Sequence, residues 1–335
     1  MTEKKYFAAA NTVDGFKSYY AEIFGKCDRI YVIKGGSGTG KSRFMHECAD
    51  ALGEGHEVEY FYCSFDPESL DGIIIDGEIA IIDGTAPHVY EPTVPGARED
   101  IVDLGAFWDS ARLLASRKTL EELIIKKKSC FERAYSYLGA CGRLDRVRQR
   151  VVAEYIDRDR LSAAAAKLVS EASTEKGERR VRIISALGRE GIVRHDTFER
   201  NAEKVLRIYD GEGAAHLLLE RIVAESERFN IPICVSYDPL FAQRPNAVLV
   251  GKIAVIATDR ADDETMHSYF QSGFSAEAER ILRINEIQST LIDEAISEFH
   301  RAAEVHFGIE EIYVGAMDFG KKEEFTREFI AKLKK

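Results

Sequence analysis

The feature that most constrains the fold is a glycine-rich stretch between an apolar segment and an amphipathic segment. Residues 29–48 read RIYVIKGGSGTGKSRFMHEC, which predicts a strand over residues 30–33, a turn, and then a helix. The turn matches the phosphate-binding pattern G-x-x-x-x-G-K-[ST], which requires a strand before it and a helix after it. Eight residues are therefore candidates for nucleotide binding: Gly35, Gly36, Ser37, Gly38, Thr39, Gly40, Lys41 and Ser42.

Each residue type in this turn has a physical reason to contact a phosphate. Glycine adopts positive φ without strain, so the backbone N–H groups can surround an anion. Lys41 is long enough to reach β- and γ-phosphate oxygens, and Ser42 at the helix N-terminus offers a hydroxyl ligand to Mg²⁺. The alternative is an ordinary glycine turn that happens to carry Lys-Ser. The complete octapeptide in this context argues against that alternative.

A second segment contains the carboxylate that a Mg²⁺-nucleotide site requires. Residues 79–82 are apolar and precede Asp83, about 40 positions after the lysine, which predicts a buried strand with an acid at its end. We expect Asp83 to bind Mg²⁺ together with Ser42 and to take part in catalysis with Lys41. Gly84 follows Asp83, where many ATP hydrolases have a glutamate that polarises water. Efficient hydrolysis is therefore not assured.

Between these two segments, residues 58–64 predict a buried strand, and Asp66 and Pro67 form its terminating turn. Asp66 is then placed where a carboxylate can face the γ-phosphate, which makes it the third candidate catalytic residue. In small-molecule kinases of similar fold, an acid at this position holds or deprotonates the acceptor hydroxyl, and this resemblance suggests the same role. The alternative is an Asx-turn cap. His88, further along, either approaches the same crevice or is an ordinary surface histidine.

The chain also contains an internal repeat with a period of about 160 to 176 residues. Two pairs of segments carry it: YCSFDP (62–67) with CVSYDP (234–239), and GEIAII (77–82) with GKIAVI (251–256). We therefore predict one ancestral domain that was duplicated and fused, with the first domain at residues 1–176 and the second at residues 177–335. Residues 176–182 are the expected linker.

The second copy has lost the chemistry of the first. Three functional residues are replaced: Lys41 by Ala215, Ser42 by His216, and Asp83 by Ala257. Because the phosphate lysine and both metal ligands are lost together, we expect the second half to be a scaffold. The alternative is a remodelled pocket for another ligand, lined by Gly211, Gly213 and His216.

Each half also contains a helical appendage. Apolar residues recur at helical spacing over residues 120–138, and a looser version of the pattern appears over residues 284–299. These segments predict helical hairpins or lids. The basic run at residues 142–150, together with Arg158 and Arg160, is either a solvated helix face or a lid that donates an arginine to the γ-phosphate.

Composition excludes several classes of protein. Among 335 residues the net charge is −11, so nonspecific nucleic acid binding would need a local basic patch, and none is visible. No apolar run approaches the ~20 residues of a membrane span, and the N-terminus does not resemble a signal peptide. We therefore expect a cytoplasmic protein. The six cysteines show no metal-ligand spacing and predict reduced, mostly buried thiols.

The segments YFAAANTVDGFKSYY, IKGGSGTGKS, FYCSFDPESLDG and IIDGTAPHVYEP resemble a bacterial family of tandem-repeat P-loop NTPases, loosely described as ATPases or nucleotide kinases. The resemblance spans the chain, and it implies ATP binding at residues 35–42 with Asp66 and Asp83. Both halves of that family often keep a phosphate-binding loop, whereas this sequence departs by losing the second.

The expected fold is α/β, with two tandem P-loop NTPase-like domains whose mostly parallel sheets are flanked by helices. The expected ligands are ATP or another NTP and Mg²⁺. The leading function is a Mg²⁺-dependent ATP-binding protein that acts as a slow ATPase or nucleotide switch. A small-molecule or nucleotide kinase and a non-catalytic nucleotide-sensing module remain open. The acceptor, if there is one, and any protein partner are not identified by the sequence.

Overall fold

The computed structural model describes residues 3–172 and 175–334. It is an α/β structure with two mixed sheets of six strands, each flanked by helices, and two additional β-hairpins. None of the helices in the described ranges is both long enough and apolar enough to cross a membrane.

The first half contains eight strands and five α-helices. The strands are β1 (Lys4–Phe7), β2 (Ala9–Thr12), β3 (Gly15–Ser18), β4 (Arg29–Lys34), β5 (Val58–Tyr62), β6 (Leu70–Ile75), β7 (Ile79–Asp83) and β8 (Glu99–Asp103). The helices are α1 (Tyr20–Phe24), α2 (Lys41–Leu52), α3 (Ser110–Ala115), α4 (Arg117–Tyr155) and α5 (Arg158–Ala172).

The second half repeats this series, except that α3 has no α-helical counterpart among the described residues. Its strands are β9 (Arg179–Val181), β10 (Ser185–Gly188), β11 (Gly191–Arg194), β12 (Lys204–Tyr209), β13 (Ile233–Tyr237), β14 (Pro245–Val250), β15 (Ile253–Thr258) and β16 (Glu264–Thr265). Its helices are α6 (Thr197–Arg200), α7 (Ala215–Phe229), α8 (Ala278–Gly315) and α9 (Phe319–Leu333).

The two sheets have the same strand order and the same strand directions. The first has the order β1-β5-β6-β7-β4-β8, and the second has the equivalent order β9-β13-β14-β15-β12-β16. In the first sheet β6 is antiparallel to both β5 and β7, whereas β4 is parallel to β7 and β8. The sheets are therefore mixed, and the antiparallel strand is a feature that the sequence analysis does not anticipate. Identical topology in both halves is what an internal duplication produces.

The strand β4 is an interior strand of the first sheet, between β7 and β8, and its sequence suits burial on both faces. Its four middle residues, at 30–33, are buried, and they are mostly β-branched or aromatic. In the parallel ladder with β7, Ile33 lies opposite Asp83. The carboxyl ends of these two strands therefore meet at the same edge of the sheet, and this brings the glycine-rich loop close to the predicted metal ligand.

One apolar core is shared by the two halves. It combines residues of the first sheet, such as Phe61 and Ile82, with residues of the second, such as Ala254 and Ile256. A buried ion pair also joins the halves, because the Arg182 guanidinium donates to both carboxylate oxygens of Glu59, at 2.7 to 3.1 Å. Packing therefore continues from one sheet to the other.

The long helices α4 and α8 lie antiparallel and pack along most of their length. Cross-helix contacts follow the pair from end to end: Lys127 with His306, Arg133 with Glu298, and Arg148 with Asn285. As a result, the last helix of each half packs against the other half. α5 packs on α7 of the second half, and α9 packs on α2 of the first half, where Phe329 contacts Phe44.

Several local predictions are confirmed and two are corrected. Strands occur at the predicted positions around residues 30–33, 58–64 and 79–83, and the helices α4 and α8 include the predicted helical segments. The expected linker at 176–182 is partly wrong, because it contains the edge strand β9, which pairs with β13. The predicted appendages are single long helices followed by a shorter one. All six cysteines are free thiols, four of them buried.

Candidate functional site

The glycine-rich loop joins the end of β4 to the start of α2. Gly38 and Gly40 have φ values of +69° and +79°, a region that side chains other than hydrogen disfavour. Gly40 is the N-cap residue of α2, and Lys41 is its first helical residue. The sequence therefore builds a tight turn at the N-terminus of a 12-residue helix, which is a favourable place for an anion.

The Lys41 side chain folds back over this loop. Its ammonium group donates to the carbonyl oxygens of Gly36 and Gly35, at 2.7 Å and 3.3 Å. It also lies 3.5 Å from Asp83 Oδ2. Because both side chains are largely buried, the cation and the carboxylate interact in a partly desolvated environment, where Coulomb interactions are stronger than in water.

One predicted metal ligand lies on a strand of the first sheet, and the other lies on the helix α2, which packs against that sheet. Asp83 ends β7 and accepts hydrogen bonds from the backbone N–H and the hydroxyl of Thr85, at 2.9 Å and 2.6 Å. Ser42 is in the first turn of α2, and its Oγ accepts the backbone N–H of Leu70, at 3.1 Å. Both offer hard oxygen donors, which suit Mg²⁺. Their assignment as ligands stays a prediction.

Asp66 lies in the turn after β5, and its carboxylate is engaged by the second half. Arg189, at the tip of the β10–β11 hairpin, lies 2.8 Å from Asp66 Oδ1. The Ser69 hydroxyl donates to Asp66 Oδ2 at 2.7 Å, and the Glu68 N–H donates to Oδ1 at 3.4 Å. The turn-cap role considered for Asp66 is thus present in the structure, together with an inter-half ion pair. Its catalytic role stays a prediction.

The C-terminal end of α8 packs against the outside of the glycine-rich loop. A Cβ atom on Gly36 would lie 3.1 Å from the Tyr313 ring, and one on Gly38 would lie 2.8 Å from Val314 Cγ2. The carbonyl oxygen of Glu310 is 3.1 Å from the same Gly38 position. Glycine is therefore required here by the close approach of α8 as well as by the backbone conformation.

Three ionisable side chains from α4 and α8 lie close to Lys41 and Asp66. Lys127 Nζ is 2.9 Å from His306 Nδ1, and His306 Nε2 is 3.8 Å from Glu310 Oε1. Burial lowers the pKa of Lys127 and, with the nearby Lys127 charge, lowers the pKa of His306 to about 4. Burial and the charge of Asp66 raise the pKa of Glu310. The environment thus favours uncharged forms of all three groups.

No sequence pattern indicates these residues. Lys127, His306 and Arg189 occur in no motif: the pairing of α4 with α8 brings Lys127 to His306, and the turn of the β10–β11 hairpin brings Arg189 to Asp66. The basic run proposed as a lid lies elsewhere: Arg148 contacts Asp145 beside the second-half loop, and Arg160 donates to the Ser268 carbonyl. These arginines lie against the second half because α4 ends there and α5 packs there.

The loop in the second half is filled by protein groups. Asp210 Oδ1 accepts the Ala215 N–H at 2.7 Å, and burial raises the pKa of Asp210 to about 6. The Arg148 guanidinium lies against Gly213 and is paired with Asp145 at 2.6 Å. The position equivalent to Lys41 is the first residue of α7, Ala215, as the repeat predicts. The second loop thus has a cation beside it, Arg148, but Asp145 already neutralises its charge.

A cavity of about 480 Å³ lies beside this second loop. Of the three residues considered for a remodelled pocket, Gly211 lines it, together with Glu212 and several residues of the segment before α8. His216 is buried in α7, and burial lowers its pKa to about 4. A role of the second half in ligand binding stays a prediction.

A second group of polar side chains lies beside Asp83 and consists of Cys63, Asp71 and His88. His88 Nε2 is 3.2 Å from Asp71 Oδ2, and both side chains are 6% exposed. Burial raises the pKa of Asp71 to about 6, and it raises that of Cys63 well above its usual value. His88, considered for the same crevice as Asp66, is thus buried in the interior, where its ring stacks on Tyr20.

Comparisons of this chain with protein-family models, curated proteins and solved structures find no match. The resemblance to tandem-repeat P-loop NTPases therefore stays a prediction from the quoted segments. Any functional conclusion depends on the geometry of the site itself.

Proposed function

We propose that this chain is a Mg²⁺-dependent ATP-binding protein, or one that binds another NTP, and that it acts as a slow ATPase or nucleotide switch. The observation that carries the proposal is the position of Lys41. Its ammonium group lies over a loop with two left-handed glycines, at the N-terminus of α2, and 3.5 Å from Asp83. Lysine, loop N–H groups and carboxylate are the parts that a nucleotide-triphosphate site requires.

The residues of this loop fit the two expected ligands. Backbone N–H groups of residues 35–42 would bind the β- and γ-phosphates, and Lys41 would exchange the carbonyl of Gly36 for a phosphate oxygen. Ser42 and Asp83 would hold Mg²⁺, which neutralises charge on the phosphates when it is bound. Gly84 follows Asp83 in place of a glutamate, which supports slow rather than fast hydrolysis.

The contact between α8 and the loop supports the switch. Tyr313 and Val314 pack against Gly36 and Gly38, so a change in loop conformation on nucleotide binding alters the packing of α8. Because α8 pairs with α4 over most of its length, that change acts on both halves. In this proposal the helix pair has two arrangements in equilibrium. Nucleotide binding shifts that equilibrium only to the extent that the nucleotide binds one arrangement more tightly than the other.

A kinase is the second candidate, and the pairing of Arg189 with Asp66 favours it. Asp66, in the turn after β5, would bind an acceptor hydroxyl, and Arg189, delivered by the other half, would stabilise charge on a transferred phosphoryl group. The nucleotide-sensing module is the third candidate, since it needs binding without turnover.

Incubation of the purified chain with γ-labelled ATP, Mg²⁺ and a panel of metabolites separates the three candidates. Free phosphate supports the ATPase, a labelled metabolite supports the kinase, and binding without transfer supports the sensor. Calorimetric titration should give one Mg²⁺·ATP per chain. Lys41→Ala should abolish measurable binding by the whole chain, since charge-assisted contacts are worth ~1.5–3 kcal/mol each, whereas Ala215→Lys should not create a second site.

Two carboxylate variants test the division of roles in the first half. Asp83→Asn should remove the tightening of ATP binding by Mg²⁺, because an amide is a poor ligand for a hard cation. Asp66→Asn should leave ATP binding nearly intact and lower turnover ~10²-fold or more. Equal loss of binding in both variants would place Asp66 in the metal site. Undiminished ATP binding in Lys41→Ala would contradict the proposed function as a whole.

A further inference from the structure

We propose that Cys63, Asp71 and His88 form a binding site for a zinc-type transition metal ion, separate from the Mg²⁺ site proposed at the loop. The three side chains come from neighbouring parts of the first sheet: Cys63 follows β5, Asp71 is in β6, and His88 lies in the loop after β7. Because β5, β6 and β7 are adjacent in the sheet, residues that are far apart in sequence lie together.

The separation of two of the three ligand atoms fits tetrahedral coordination of one metal ion. One ligand atom from each of the three residues lies within 4.8 Å of the other two. The Asp71 Oδ2 to His88 Nε2 distance is 3.2 Å, which is close to the ~3.3 Å expected between nitrogen and oxygen ligands that share one zinc ion with tetrahedral angles. A Cys63 thiolate would complete three-ligand coordination, with bond lengths near 2.0 to 2.3 Å.

Two buried polar atoms of the cluster lack a well-formed hydrogen bond. Among the described residues, His88 Nδ1 is buried without a hydrogen-bond partner, and Asp71 Oδ2 forms no hydrogen bond of good geometry although His88 Nε2 lies 3.2 Å away. Buried polar atoms in native proteins are nearly always paired, so each unpaired atom calls for an explanation. A bound cation satisfies the Asp71 oxygen directly. It also orients the imidazole, whose ring is already held between Tyr20 and Phe16.

The local charge also favours a cation. Asp71 interacts unfavourably with the second buried carboxylate, Asp83, and its interactions with His88 and Lys41 oppose this repulsion. Lys41 is shared with Asp83, from which it lies 3.5 Å away. A divalent ion at Cys63, Asp71 and His88 would therefore compensate negative charge that the protein side chains only partly balance.

The donor set selects the type of metal. Mg²⁺ prefers oxygen ligands, whereas a thiolate and an imidazole favour zinc and similar ions. Three protein ligands leave one coordination position for water or another group, which is the arrangement of zinc sites with an open position. The thiol must lose its proton on binding, so binding should release protons and weaken at low pH.

Cobalt(II) titration of the full, EDTA-treated chain tests the proposal, because a tetrahedral cobalt–thiolate site gives strong visible bands and a near-ultraviolet charge-transfer band. We expect one equivalent of Co²⁺ to produce these bands and Zn²⁺ to remove them. Cys63→Ser should abolish the charge-transfer band. Asp71→Asn and His88→Gln should each weaken Co²⁺ binding tenfold or more, with circular dichroism showing that each variant is folded.

Two control variants separate this site from the rest of the molecule. Cys234→Ser removes a partly buried thiol at the equivalent strand of the second half and should leave the bands unchanged. Asp83→Asn removes a nearby negative charge but no proposed zinc ligand, so it should retain the bands with weaker Co²⁺ binding while losing Mg²⁺-dependent ATP tightening. The two sites can therefore fail independently. Absence of the bands in the folded wild-type chain, or their persistence in Cys63→Ser, would overturn the proposal.

Discussion

Gly38 provides a direct test of the contact between the glycine-rich loop and α8. It has a φ of +69°, and a Cβ atom there would lie 2.8 Å from Val314 Cγ2 and 3.1 Å from the carbonyl oxygen of Glu310. Gly38→Ala therefore has two costs. A left-handed conformation costs about 1–2 kcal/mol for a residue with a Cβ, and overpacking against α8 costs about 1–3 kcal/mol. We expect a total loss of about 2–5 kcal/mol in the free energy of unfolding.

Gly55 is a matched control for this substitution. Its φ is +86°, and a Cβ atom there would have no neighbour within 4 Å among the described residues. Gly55→Ala should therefore lose only the backbone contribution of about 1–2 kcal/mol. Val314 is 44% exposed, so Val314→Ala alone should cost little. Combined with Gly38→Ala, it should recover most of the overpacking cost.

Urea unfolding followed by circular dichroism measures these differences, provided that the slope with denaturant is the same in all variants. Calorimetric titration with Mg²⁺·ATP shows whether the same substitutions change nucleotide binding. Equal destabilisation by Gly38→Ala and Gly55→Ala, or no recovery on adding Val314→Ala, would refute the packing of α8 on the loop.

Two further perturbations test the contact between the halves and the protonation of the site. Glu59→Ala leaves Arg182 buried without its partner, so we expect unfolding in urea to reveal a loss of about 3–5 kcal/mol, and a loss below about 1 kcal/mol would contradict this reasoning. Burial and the charge of Lys127 lower the pKa of His306 to about 4. The contribution of neutral His306 to the free energy of unfolding is present above about pH 6.5, the pKa of histidine in the unfolded chain. It is lost as pH falls toward 4. His306→Gln should reduce this loss relative to the exposed control His300→Gln, and identical stability profiles against pH would count against it.

The local parts of the fold are those that the sequence predicts well. The strand before the loop, the loop itself and the acid at the end of β7 each depend on a short run of residues, and their pattern is specific. The repeat also predicts that Ala215 occupies the position of Lys41. These features require only neighbouring residues or a comparison of the chain with itself.

The remaining features depend on contacts between distant segments. Lys127 and His306 reach each other only because α4 and α8 run antiparallel, and neither helix pattern specifies its partner. Cys63, Asp71 and His88 lack the spacing of a metal motif, because the antiparallel strand β6 brings them together. Arg189 is more than a hundred residues from Asp66 in the sequence, although their side chains form an ion pair. No local pattern encodes these juxtapositions, so sequence reasoning could not find them.

The reciprocal exchange of α5 and α9 bears on how such a chain arose. A single repeat would carry its last helix away from its own sheet, so its apolar surfaces would be covered only by a second copy that makes the same exchange. The simplest ancestor is thus a symmetric homodimer with two identical glycine-rich loops. Fusion into one polypeptide allowed the two copies to diverge. One half could then keep Lys41, while the other places Arg189 beside Asp66 and His306 beside Lys127.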